Sequence, residues 1–165
     1  MPGNVRRHAR DLSPRDVKRF LEAVRTGSRH PERDHLIACF SFYAGLKAGE
    51  IAALKWRMVL SAEDQIADAL HLENAAAKKL GGRTIPLKKE LRAALVSFYE
   101  KAPPNTKRDD HIFLSDRRGP IRAQSLINWF RNEFLAIGLA GASSHSGRRY
   151  FVTMAARRIT EAGVT

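Results

Sequence analysis

The stretch "SSHSGRRYFVTMAARR" (Ser143–Arg158) places His145 and Arg148 three residues apart at what reads as a helix start. Side chains at that spacing share one face of the first turn. Ser143 or Ser144 suits the N-cap, and a helix N-terminus presents free backbone N–H groups. An imidazole beside a guanidinium fork, in that setting, is a phosphate clamp in chemical terms. Taken alone, His-x-x-Arg more often marks an exposed basic helix start. A second basic group lies in "AKKLGGR", with Lys78, Lys79 and Arg83 around an expected hairpin turn. Lysines at hairpin turns are usually just solvated, so this signal is also weak by itself.

The overall charge gives both groups a common meaning. The chain has 165 residues, with 29 Lys and Arg against 17 acids, a formal charge of +12. Such an excess predicts attraction to polyanions, of which nucleic acid is the commonest; a merely soluble basic protein is the plain alternative. Other classes are unsupported. The sequence has no apolar run of membrane-spanning length, and "MPGNVRRHAR" has no hydrophobic stretch of a signal peptide behind its basic residues. The single Cys39 excludes a disulfide framework and a cysteine zinc site. His30 and His35 in "HPERDH" lack metal-ligand spacing and read as the turn before a helix, so no metal is expected. No glycine-rich phosphate loop is present, which leaves a nucleotide cofactor unsupported.

The elements that must hold the basic residues are well signalled. "LSPRDVKRFLEAVRTG" has Ser13 as a cap, Pro14 in the first turn and Asp16 at the capping-box position. Val17, Phe20, Leu21 and Val24 form its apolar face, and Gly27 ends it. A second helix is expected from about Glu32 to Leu46, apolar enough to be central, and a third from Gly49 to Trp56. Between Met58 and Leu87 the alternation of "QIADALHLE" and "RTIPL" predicts an antiparallel hairpin or three-stranded sheet, with "KKLGG" as turn. "KKELRAALVSFYEKAPP" is helical, with Leu91, Leu95 and Phe98 inward. "QSLINWFRNEFLAIG" is a further helix with Leu126, Phe130, Phe134 and Ile137 on its apolar face. The fold class is therefore mainly α with a small antiparallel sheet, an α+β domain over residues 12–165, preceded by a basic tail or linker remnant at 1–11.

Three segments in order, "FYAGLKAGEIAALKW", "AAAKKLGGRTIPL" and "SSHSGRRYFVT", resemble the catalytic domain of tyrosine recombinases, the phage-integrase family. The resemblance covers nearly the whole chain from about Leu12. It implies DNA strand breakage and rejoining, as in DNA integration and site-specific recombination. A tyrosine attacks a phosphodiester, forming a phosphotyrosyl link and releasing a 5′-hydroxyl. Without a metal, charge on the phosphoryl oxygens must be met by fixed cations and donors. By resemblance His145 and Arg148 match two of these, and Lys78, with Lys79 as rival, matches the hairpin lysine that acts as general acid. Glu50 matches the acid that orders the site. Lys79, Arg83 and Arg149 are the further DNA-binding candidates. The implied partners are double-stranded DNA and other recombinase protomers, with no membrane and no small-molecule cofactor, in the cytoplasm or on the nucleoid.

Two departures from the family pattern qualify this expectation. The first arginine of the family motif is replaced by Lys47, which keeps the charge but loses the planar two-pronged grip. The family's nucleophile follows the last helix, and Tyr43, Tyr99 and Tyr150 do not fit that position. The expected protein is thus a catalytic domain without its N-terminal DNA-gripping domain and its C-terminal tyrosine segment, inactive alone. The alternatives are a non-enzymatic DNA-binding module, or an enzyme component that receives its tyrosine in trans.

Overall fold

The computed structural model describes residues 8–73 and 82–163. Six helices and a two-stranded sheet follow the chain: α1 (Pro14–Gly27), α2 (Pro31–Ala44), α3 (Ala48–Ala52), β1 (Ala69–Leu72), β2 (Arg83–Pro86), α4 (Lys89–Glu100), α5 (Ala123–Ala136) and α6 (Ser144–Glu161). This is the mainly helical domain with a small antiparallel sheet that the sequence indicates.

Local chemistry sets the first helix. The Ser13 hydroxyl accepts from the Asp16 N–H at 3.1 Å, while the Asp16 carboxylate accepts from the Ser13 N–H at 2.9 Å. Val17, Phe20 and Val24 are buried as its periodicity requires. Phe20 meets Phe42 of α2 edge-on at 5.4 Å and Phe134 of α5 at 4.5 Å, which ties three helices into one aromatic cluster. Each such ring, fully buried, contributes about 1.5–3 kcal/mol of apolar burial. Helix α2 packs against α1, α4 and α6 and has no polar face, because it is surrounded.

Several boundaries differ from the sequence reading, each for a local or non-local reason. Helix α2 starts at Pro31, so most of "HPERDH" is helical rather than turn. It stops at Ala44, two residues early, because Gly45 adopts the left-handed φ of 67° that ends helices. Helix α3 covers only Ala48–Ala52. Beyond it the backbone pairs with a distant segment: Lys55 bridges His111, and the Trp56 N–H donates to the Asp110 carbonyl at 3.1 Å. Of the rest of the expected helix only Trp56 is in a helical turn, the short 3₁₀ turn Trp56–Met58. Among the described residues the sheet has two strands, with Ala69 opposite Pro86 and Leu72 opposite Arg83. Of the segment joining them, only Glu73 and Gly82 lie among the described residues. Leu91 and Leu95 of α4 and Leu126, Phe130 and Phe134 of α5 are buried, whereas Phe98 and Ile137 are only partly so.

The residues just before α1 are held by the rest of the domain. The Arg10 N–H donates to the Gly141 carbonyl at 3.0 Å, and Arg149 of α6 reaches the Ala9 carbonyl at 3.1 Å. No helix among the described residues is long and apolar enough to cross a membrane.

Candidate active site

The site grows from two helix starts that the packing brings together. Helix α6 begins with Ser143 as N-cap, its hydroxyl accepting from the His145 N–H at 3.3 Å. Ser146 answers by accepting the Ser143 N–H at 3.0 Å. This cap leaves His145 exposed on the first turn and brings Arg148 onto the same face one turn further. Helix α6 approaches α2 closely because Gly147 has no side chain: a Cβ there would lie 1.9 Å from the Ser41 hydroxyl. Gly45 is a second close approach, where a Cβ would stand 2.5 Å from the Phe151 ring.

At the start of α3, the Lys47 N–H donates to the Glu50 carboxylate at 2.8 Å. The same carboxylate receives the Arg83 guanidinium on both oxygens, at 2.8 and 3.0 Å, a two-pronged pair reaching from β2. Arg148 donates to the Gly45 carbonyl at 3.3 Å and stands 3.9 Å from Glu50. Its side chain remains 38% exposed, so the guanidinium is fixed at one edge and open at another. Burial alone would raise the Glu50 pKa. The Arg83 hydrogen bonds, then the Lys47 N–H and the charges of Arg83 and Arg148, outweigh it and hold the carboxyl below its usual range. Glu50 is therefore a fixed anion among cations, ordering groups from α3, β2 and α6.

Of the residues singled out from the sequence, Arg83 and Arg148 bring their side chains to the Glu50 carboxylate, and Lys47 reaches it with its backbone N–H. His145 shares the α6 turn with Arg148. Lys78 and Lys79 lie outside the described residues. Arg149 points elsewhere, pairing with Asp11 at 2.8 Å as well as with the Ala9 carbonyl. The three tyrosines are built into helices. Tyr43 is half-buried in α2 with its hydroxyl pKa pushed up to about 12, chiefly by burial. Tyr99 packs on Trp56 at 4.9 Å and Tyr150 against Phe42 at 6.2 Å.

One cation was not legible from the sequence. Lys88, at the start of α4, lies 5.8 Å from the Tyr43 ring centre and 5.5 Å from that of Phe151. Burial, followed by the nearby Arg158 charge, lowers its pKa. The "KKE" run gives no sign of this, because the two rings come from α2 and α6.

The mainly helical fold with its small sheet is the one the motif resemblance implies, and in it the Arg83 and Arg148 guanidinium groups and the Lys47 backbone N–H meet at the Glu50 carboxylate. The family comparison agrees: residues 10–163 match the model of the phage integrase family, and the chain belongs to that family. Transposase A from transposon Tn554 of Staphylococcus aureus is 24% identical over 159 residues, covering 92% of this chain and 42% of that protein. Among solved structures, XerA recombinase superposes with a TM-score of 0.74 at 22% identity, covering 96% of this chain and 54% of the other. The Tn1549 transposon integrase, solved in complex with a circular intermediate DNA, gives 0.66 at 19% identity, covering 99% of this chain and 57% of the other. The chain thus spans about half the length of the proteins it matches, or less.

Proposed function

We propose that this domain binds duplex DNA and presents a cationic site to one phosphodiester, in the strand breakage and rejoining of DNA recombination or transposition. The observation that carries the reading is the approach of the Arg148 guanidinium and the Lys47 backbone N–H to Glu50 in a chain of this family. In this reading Lys47, His145 and Arg148 meet the non-bridging phosphoryl oxygens and Glu50 holds them in register. A tyrosine gives up its hydroxyl proton to solvent and attacks phosphorus, the phosphotyrosyl bond forms as the bond to the 5′ oxygen breaks, and Lys78 (or Lys79) gives that oxygen its proton. Tyr43, Tyr99 and Tyr150 are not the nucleophile, so these 165 residues form no covalent adduct by themselves. Other protomers of the same kind would stand beside it on the DNA.

Lys47 favours a second reading, a DNA-binding module without catalysis. A lysine at a position suited to a guanidinium fork weakens a phosphoryl site, since loss of one such donor costs about 10²–10³ in rate. Either reading requires DNA binding, which a fluorescence-anisotropy titration of a short duplex tests. Weak, sequence-tolerant binding on the order of 10⁻⁴–10⁻⁶ M near physiological salt is expected. Absence of binding even at low salt rejects both readings. A covalent adduct of the unaltered 165-residue chain with a nicked duplex, seen on a denaturing gel, would reject the exclusion of its tyrosines.

A further inference from the structure

Arg83 reads from the sequence as one more cation for the DNA backbone, yet its guanidinium is turned inward onto Glu50. That carboxylate is only 24% exposed and has Arg148 as its next cation, 3.9 Å away. Arg148 itself is only lightly held by the Gly45 carbonyl, at 3.3 Å. A carboxylate deprived of its two-pronged partner turns to the nearest remaining guanidinium, because a partly buried anion without a partner is costly. Arg148 would then close on Glu50 and lose the fork that a phosphate needs.

We infer that Arg83 is a positioning residue, which occupies both oxygens of Glu50 and so leaves the Arg148 guanidinium available to phosphate. The inference rests on the phosphate-binding reading above. It also explains why the site can keep an acid beside the cations that are to meet an anion: the acid is already neutralised from β2. The charged groups facing Glu50 among the described residues are Arg83 of β2 and Arg148 of α6, while Lys47, the N-cap of α3, reaches it through its backbone N–H.

A double-mutant cycle on duplex binding tests this, with Arg83→Gln, Glu50→Gln and the pair combined. The control is Arg118→Gln, an exposed arginine on a separate cavity whose charged lining mixes Glu32, Asp109, Asp110 and Asp116 with Arg33 and Lys101. Arg83→Gln should weaken binding about threefold or more beyond the control. Glu50→Gln should then restore affinity by a factor about three times larger in the Arg83→Gln background than in the parent chain. A pH series supplies a readout that mere loosening of the fold would not move. In Arg83→Gln the Glu50 carboxyl loses its strongest partner, so as pH falls through the ordinary glutamate range it is protonated and releases Arg148. Binding by Arg83→Gln should recover relative to the parent chain over that range, and the double variant should show no such recovery. Circular dichroism at each pH establishes that the variants are folded. If Arg83→Gln fails to fold, Arg83→Lys, which keeps the charge with a single prong, carries the same cycle and should show the same sign of coupling. Strictly additive effects, or pH profiles parallel to the parent's, overturn the inference. Arg148→Ala in the same titration separates the two levels. If it binds as the control does, the phosphate-binding reading falls and this inference with it. If it weakens binding while Arg83 and Glu50 remain additive, only the inference falls.

Discussion

Gly147→Ala is the substitution whose effect follows most directly from the structure. The added Cβ would lie 1.9 Å from the Ser41 hydroxyl, 3.1 Å from its Cβ and 3.3 Å from the Phe42 ring. Ser41 is fully buried in α2, so its hydroxyl has little room to turn away, and even then the Cβ contact stays tight. Relief requires α6 to move off α2 by on the order of 1 Å, with an overpacking cost of about 1–3 kcal/mol. For a domain of this size that is a fall in Tm of roughly 2–12 °C, readable by thermal or urea unfolding. The same movement carries Arg148 beyond reach of the Gly45 carbonyl, now 3.3 Å away, so duplex binding should weaken as well. A companion variant isolates the cause. The Ser41 hydroxyl has no hydrogen-bond partner among the described residues, so Ser41→Ala should be neutral or slightly stabilising. In the Gly147→Ala background it should recover a clear part of the lost stability. Unchanged stability in Gly147→Ala, or no recovery with Ser41→Ala, would refute the close helix contact as the reason for glycine at this position.

Three further outcomes are expected. Glu50 has a lowered folded-state pKa, so its contribution to stability is present above its ordinary value and lost as pH falls through the lowered one; urea unfolding should show Glu50→Gln less stable than the parent at neutral pH, with the difference vanishing in acid. Arg149→Gln frees the Ala9 carbonyl and Asp11, so limited trypsin digestion should cut after Arg10 faster than in the parent chain. Lys47→Arg restores a planar fork and should tighten duplex binding modestly, while a denaturing gel still shows no covalent adduct.

How much of this was legible in the sequence depends on the range of the interaction. Helix α1 is written in neighbouring residues, the Ser13–Asp16 box and the Val17–Phe20–Val24 stripe, and it forms where those residues place it. The α6 start is equally local, with Ser143 as its cap. Helix α3 was overestimated because the residues after Ala53 obey a distant strand-like partner at Asp110–Ile112 rather than their own propensity. The motif order pointed to Lys47, Glu50 and Arg148 by resemblance, but the Glu50–Arg83 fork joins residues 33 apart in the chain and no periodicity announces it. Arg149 looked like another phosphate contact, since nothing in "SGRRYF" indicates that Ala9 and Asp11 lie against it.

The central claim, that duplex phosphate is met at the α3–α6 site, is tested most directly by the salt dependence of binding. Affinity for one duplex should be measured across a salt series for the parent chain, Arg148→Ala and Arg118→Gln. Removing one phosphate contact lowers the magnitude of the slope of log affinity against log salt by about 1. The account predicts that drop, with weaker binding at every salt concentration, for Arg148→Ala and a near-parental slope for Arg118→Gln. Equal slopes for Arg148→Ala and the parent chain, with equal affinities, would contradict it.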